Sequence, residues 1–214
     1  LRRFVESLGG TPMVLKKEHP GYVFNSMNGQ FMLMAVQLVL DRRVTVEDVD
    51  RAWMIDRSAP MGPFGMMDLF GLDLMRDSWS APTKDAHREA VRERVEPFLT
   101  ELVDAGRLGQ KSGSGFYTYP DPDYQRPDFA DAEPPPAMAS NALMGALVVA
   151  AAMIEAKDVA DRADIDAAWC AATGQTSGPF GILASVGVDS FIAVLDELRA
   201  ERLVTAETAD TVRS

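Results

Sequence analysis

Gly62-Pro63-Phe64-Gly65 and Gly178-Pro179-Phe180-Gly181 are the same four residues, 116 positions apart. Sliding the sequence against itself by that distance sets Asn25 on Asn141, Gly29 on Gly145, Ala35 on Ala151, Asp48 on Asp164 and Asp50 on Asp166. Ala52 then meets Ala168, Trp53 meets Trp169, and Gly71 and Asp73 meet Gly187 and Asp189. A shared tetrapeptide, a tryptophan and several aspartates at one offset point to a duplicated unit whose copies bury apolar surface on each other. Between the copies, Pro120, Pro122, Pro127, Pro134, Pro135 and Pro136 remove backbone donors that a helix needs, so 120–137 reads as a connector.

Outward from the tetrapeptide the pattern is helical. Val23 to Leu40 is dominated by apolar residues, with no proline and only Gly29 against it, which predicts a long, largely buried helix. Thr45 and Asp48 have the spacing of a capping box and open a short helix on which Val49, Ala52 and Trp53 share a face. Pro60 and Pro63 break the chain, after which Phe64–Phe70 and Asp73–Trp79 form short helices. Thr83 to Ala105 carries an apolar stripe including Val91, Val95, Leu99 and Leu102. Pro97 is expected to kink it and Gly106 to end it. The second copy repeats the order as Met138–Ala156, Asp161–Ala172, Phe180–Val186 and Asp189–Ala200, and a Thr205–Val212 segment closes the chain.

The first residues do not belong to this pattern. Leu1, Phe4, Val5 and Leu8 recur at helical spacing, Gly9-Gly10 stops them, and Thr11 to Lys17 reads as a short strand. A lone helix and a lone strand cannot bury their own apolar faces. Residues 1–19 therefore read as the end of an α/β domain, and the start at Leu1 without methionine reads as a fragment or a trimmed chain.

Composition narrows the function classes. The chain has 214 residues, 32 Asp+Glu against 21 Lys+Arg and a formal charge of −11. That acidic balance argues against nucleic acid, whose binding needs a basic stripe to displace counterions. One cysteine, Cys170, leaves no internal disulfide, so a cytoplasmic location is the default. The longest apolar stretch, Ala142 to Ile154, falls short of the ~20 residues that span a bilayer, so no membrane partner is expected.

The order of these signals resembles the 3-hydroxyacyl-CoA dehydrogenase family. Gly10-Thr11-Pro12-Met13-Val14 is similar to the strand closing that family's N-terminal Rossmann domain. His19-Pro20-Gly21-Tyr22-Val23-Phe24-Asn25 resembles its Pro-Gly-aromatic-x-x-Asn signature. Pro60-Met61-Gly62-Pro63-Phe64 with Asp68 and Gly71-Leu72-Asp73 resembles a second motif, and Gly106 through Tyr117 a third. The resemblance implies a mostly α fold of two tandem C-terminal-type domains about a pseudo-twofold. Its parts would be the remnant 1–19, copy one 20–119, the connector 120–137 and a degenerate copy two 138–214, with the fused copies replacing a second subunit.

It also implies NAD-dependent oxidation of (S)-3-hydroxyacyl-CoA to 3-oxoacyl-CoA. In that reading NAD and the catalytic His–Glu pair belong to the missing Rossmann domain, so this chain alone neither binds NAD nor turns over. Asn25 would be catalytic, orienting the substrate's 3-oxygen, and Ser26, Met61, Pro63 and Phe64 would contact the acyl-CoA. Ser26 stands where many members have Arg. No cofactor-binding or metal-ligating residue is expected, because no Gly-x-Gly-x-x-Gly follows a predicted strand. Two other readings are a non-catalytic helical binding module and a dehydrogenase of a free hydroxy acid such as a sugar acid.

Each candidate also has a plain structural reading. Asn25, following a Pro-Gly turn, could satisfy early helix amides, as its counterpart Asn141 would. His19 sits in a turn without a carboxylate partner, and His87 on a charged helix face. Lys111, in Gly109-Gln110-Lys111-Ser112-Gly113-Ser114-Gly115, could meet a CoA phosphate, but no helix follows as in a phosphate-binding loop. Trp53 and Trp169 read as core anchors, Cys170 as a small buried hydrophobe, and Met27, Met32, Met34, Met54, Met61, Met66 and Met67 as an adaptable apolar surface.

Overall fold

The computed structural model describes residues 2–10, 12–13, 15–41, 43–81, 86–201 and 203. Its helices are α1 (Arg2–Ser7), α2 (Tyr22–Leu40), α3 (Val46–Arg57), α4 (Pro63–Phe70), α5 (Leu72–Trp79), α6 (Ala86–Asp104), α7 (Ala137–Ala156), α8 (Arg162–Thr173), α9 (Pro179–Val186) and α10 (Val188–Ala200). The boundaries of α3 and α4 recur in α8 and α9 at the offset read from the sequence. The 12-residue α3 opens on a complete capping box: Thr45 Oγ1 accepts from the Asp48 amide at 3.1 Å, and Asp48 Oδ2 accepts from the Thr45 amide at 3.2 Å. Pro63 and Pro179 occupy first-turn positions of α4 and α9, where a missing N–H costs nothing. α6 runs on through Pro97 and ends where the amides of Gly106 and Arg107 return to the carbonyls of Val103 and Leu102, both at 2.9 Å.

The N-terminal segment departs from the sequence reading. α1 forms, but Phe4 and Leu8 are exposed. Among the described residues no strand forms between 12 and 17; Thr11, Val14 and Thr205–Val212 lie outside them. A strand needs a partner strand for its backbone donors. Here the Lys16 amide instead donates to the Val159 carbonyl at 2.8 Å, and its ammonium pairs with Asp158 and Asp161 at 2.9 and 2.6 Å.

The chain resolves into two compact units that cut across the repeat. One unit joins Leu1–Phe31 to Asn141–Ser214, and the other is Met32–Ser140. The dividing lines therefore fall inside α2 and α7 rather than in the proline-rich connector. In the first unit Trp169 is fully buried, with Phe31 edge-on at 5.4 Å and Phe24 tilted at 5.9 Å. Gly145 on α7 lets Leu198 of α10 approach so closely that a Cβ there would collide with it. In the second unit α5 lies along α6 and α3 on α4, with Trp53, Phe64, Met67, Leu72 and Leu99 fully buried.

Contrary to the sequence expectation, α2 and α7 are by length and composition each apolar enough to cross a membrane. Half of the α2 window and 72% of the α7 window are buried in the protein, so much of that apolarity goes into the core.

Candidate functional site

The polar centre of the second unit is built on two buried carboxylates. α3 carries Asp50, fully buried, whose two oxygens accept from the amides opening α4: Phe64 at 2.8 Å and Gly65 at 2.9 Å. Those amides belong to the first turn of a helix, which has no internal acceptor for them. Gly62 is required here by close approach, since a Cβ would land against the Cα and carboxyl of Asp50.

α4 in turn carries Asp68, which is 1% exposed and accepts from the amides of Phe116 (2.8 Å) and Tyr117 (2.9 Å) and from the Tyr119 hydroxyl (3.1 Å). Gly115 lets the chain fold over Asp68, because its Cβ would overlap that carboxylate. The Tyr117 hydroxyl closes the arrangement by donating to Asp50 Oδ2 at 3.0 Å. The Gly-rich stretch after α6 is thus a clasp on two aspartates.

Electrostatics follow from that burial. Desolvation pushes the Asp50 carboxyl up to about 7, against the opposing pull of the Phe64 and Gly65 amides and the Tyr117 hydroxyl. Asp68 is raised for the same reason, opposed by the Tyr117 and Phe116 amides. The Tyr117 and Tyr119 hydroxyls are pushed far up, first by burial and then by the carboxylates beside them. Both tyrosines therefore remain proton donors at ordinary pH.

The residues singled out from sequence fall in different units. Asn25 and Ser26 belong to the first, and Met61, Pro63 and Phe64 to the second. Asn25 is exposed on the first turn of α2, and its side-chain amide makes no hydrogen bond among the described residues. It does not satisfy helix amides as the plain reading had it. Ser26 does the local bonding: its Oγ lies 2.7 Å from the Tyr22 carbonyl and 3.0 Å from His19 Nε2. Those bonds hold a turn in which Gly21 and Tyr22 both take positive φ, 79° and 54°.

Phe64 has no exposed surface and meets Phe116 edge-on at 4.6 Å, and Pro63 is buried beside it. These two shape the corner from inside. Met61 alone of the three keeps part of its surface. Lys111 is committed to Asp73, 2.6 Å from its Oδ2, rather than standing free for a phosphate.

Trp53 and Trp169 are core anchors, and Cys170 is half-buried with its thiol pushed up by burial. Met54 and Met61 are half-buried, while the other five methionines of the cluster are buried. The side chain of His87 lies outside the described residues. Among the described residues no cluster of His, Cys, Asp or Glu could hold a metal ion. Asp68, Tyr117 and Tyr119 were not legible as a network. The sequence marks Asp50 only by its alignment with Asp166, and the tyrosines have no counterpart 116 residues further on.

The family of 3-hydroxyacyl-CoA dehydrogenase C-terminal domains matches residues 21–119 and 138–212. A 3-hydroxybutyryl-CoA dehydrogenase of Mycobacterium tuberculosis is 38% identical over 119 residues, covering 54% of this chain and 40% of that protein. The human mitochondrial hydroxyacyl-coenzyme A dehydrogenase is 32% identical over 119 residues, covering 54% of this chain and 36% of that protein. The chain thus spans about 40% of the length of the curated relatives it matches. The crystal structure of 3-hydroxybutyryl-CoA dehydrogenase from Escherichia coli K12 superposes on 98% of this chain and 63% of its own, with a TM-score of 0.72 at 17% identity. That last likeness concerns the fold.

Proposed function

This chain belongs to the 3-hydroxyacyl-CoA dehydrogenase C-terminal domain family, and we propose that it is the C-terminal, substrate-binding part of an NAD-dependent (S)-3-hydroxyacyl-CoA dehydrogenase. The whole enzyme would oxidise 3-hydroxyacyl-CoA, of 3-hydroxybutyryl-CoA type, to 3-oxoacyl-CoA in the cytoplasm. The observation that carries this reading is the family match over 21–119, which holds the second and third sequence motifs entire and the first from Gly21 onward. The repeated Asp–Gly-Pro-Phe-Gly corner supports reading 138–212 as a second, degenerate copy.

NAD, which accepts the hydride in this chemistry, does not fit the residues present. Among the described residues there is no strand–loop–helix turn to cradle a pyrophosphate. We assign the dinucleotide to an N-terminal Rossmann domain and route no step of this chain through it.

What this chain supplies is orientation. The exposed amide of Asn25, which bonds nothing among the described residues, can donate to the substrate's 3-oxygen and hold the reacting carbon in line. The His19–Ser26 bond fixes the turn that presents Asn25.

The test measures NADH oxidation by acetoacetyl-CoA with the 214 residues alone and with the same chain extended by a family dinucleotide-binding domain. Activity is expected only in the extended protein, and Asn25→Ala should lower its kcat by about 100-fold, the usual cost of one orienting donor. Turnover by the 214 residues alone, or an Asn25→Ala enzyme of full activity, overturns the assignment.

A further inference from the structure

We propose that the second unit carries a binding site for a small amphiphilic monocarboxylate, in the cavity between α3 and the connector. The cavity measures about 320 Å³. That lies at the small end of ligand sites, with room for about ten water-sized groups. Its walls are chemically divided. Met54 and Ile55 on α3 and Phe129 on the connector form an apolar floor, while Arg51 and Arg126 supply the cationic side.

Arg51 carries the inference. Its side chain is 10% exposed, and its NH2 group bonds Asp48. Its Nε is buried without a partner, and NH1 forms no hydrogen bond among the described residues. Phe129 lies against the guanidinium, whose Cζ is 5.4 Å from the ring centroid. A buried guanidinium with idle donors is a costly arrangement that an incoming oxygen acceptor relieves. Arginine's planar fork favours carboxylate for that purpose.

The surrounding charges set the size of the head group. Asp48 faces Arg51, while Asp128 at 3.0 Å and Asp123 at 3.6 Å face Arg126. Three carboxylates around two arginines leave the rim net negative, which repels a dianion twice as strongly as a monoanion, so the Arg51 donors select a single carboxylate over a phosphate-type head. The Ser58 hydroxyl, which lines the cavity and bonds nothing among the described residues, offers that carboxylate a second donor. After the three heavy atoms of the head, the remaining volume holds about seven carbon-sized positions along the apolar floor.

Isothermal titration of the 214-residue chain with sodium octanoate tests this, with octylammonium chloride and inorganic phosphate as charge controls. Octanoate should bind, the ammonium and phosphate should not, and Arg51→Met should weaken octanoate at least tenfold. Because Arg51 also braces Asp48, Ala130→Trp at the exposed rim serves as a second variant. It should block entry by the same factor while leaving the helical circular dichroism signal and Tm unchanged. Octylammonium binding as tightly as octanoate, octanoate affinity unchanged in Ala130→Trp, or no binding at millimolar octanoate would each overturn the proposal.

Discussion

At the corner after α3, Asp50 takes the amides of Phe64 and Gly65 at 2.8 and 2.9 Å; at the corner after α8, Asp166 takes those of Phe180 and Gly181 at the same 2.8 and 2.9 Å. Gly62 and Gly178 make the same close approach to the aspartate backbone. The surroundings then diverge. Asp50 receives a third bond from Tyr117 and is sealed, whereas Asp166 stays part-buried and Arg162 lies over the Phe180 ring, 4.8 Å from its centroid. The backbone of the corner is thus specified by glycine, proline and one carboxylate, while a separate loop decides how wet that carboxylate is. Among the described residues only the second unit has that loop, and there the carboxylate is pushed towards neutrality.

The contrast can be broken most forcefully through pH. Asp50 is raised from 3.8 to about 7, so between those values the folded protein holds a proton that the unfolded chain has released. Stability should therefore fall as pH rises from about 4 to about 7, with a ceiling near ~4 kcal/mol. Urea midpoints measured across that window should show the fall, and Asp50→Asn should reduce it to the part that the raised Asp68 carboxyl contributes. A slope unchanged by the substitution would remove the difference drawn between the corners.

Next in size are Gly62→Ala and Gly178→Ala, each expected to cost about 3 kcal/mol by forcing the corner open. Both are read by thermal unfolding. A cost confined to one of them would show that the two corners are not equivalent.

Tyr117→Phe should cost about 1–2 kcal/mol by depriving Asp50 of its third donor, and should move the Asp50 transition to higher pH. The corresponding urea titration checks both effects. Smallest is Lys111→Ala, which breaks a half-exposed pair with Asp73 and should cost under about 1 kcal/mol. A larger loss on urea unfolding would mean that the clasp depends on that pair.

Much of the helical plan was legible because its signals are local. The Thr45–Asp48 box, the first-turn prolines and Gly106 each act within a few residues, and the structure places helix ends at or beside them. The strand expected over Thr11–Lys17 does not form among the described residues, because a strand requires a neighbour. Here Lys16 turns to Val159 instead. The depth of Pro63 and Phe64 was not legible because a motif marks importance without marking depth. The aspartate–tyrosine clasp was hidden because Asp50 and Tyr117 lie 67 residues apart and nothing in their spacing implies contact.

The division of the chain inside α2 and α7 has a practical consequence. The proline-rich stretch looks like a hinge at which the protein could be severed into halves, yet a nick there would leave the Trp169 cluster without Phe24 and Phe31. Neither product would then carry every piece of the unit built from both ends of the polypeptide. Split at the connector, the molecule should behave as a fragment-complementation pair, regaining its fold only when the two pieces are mixed.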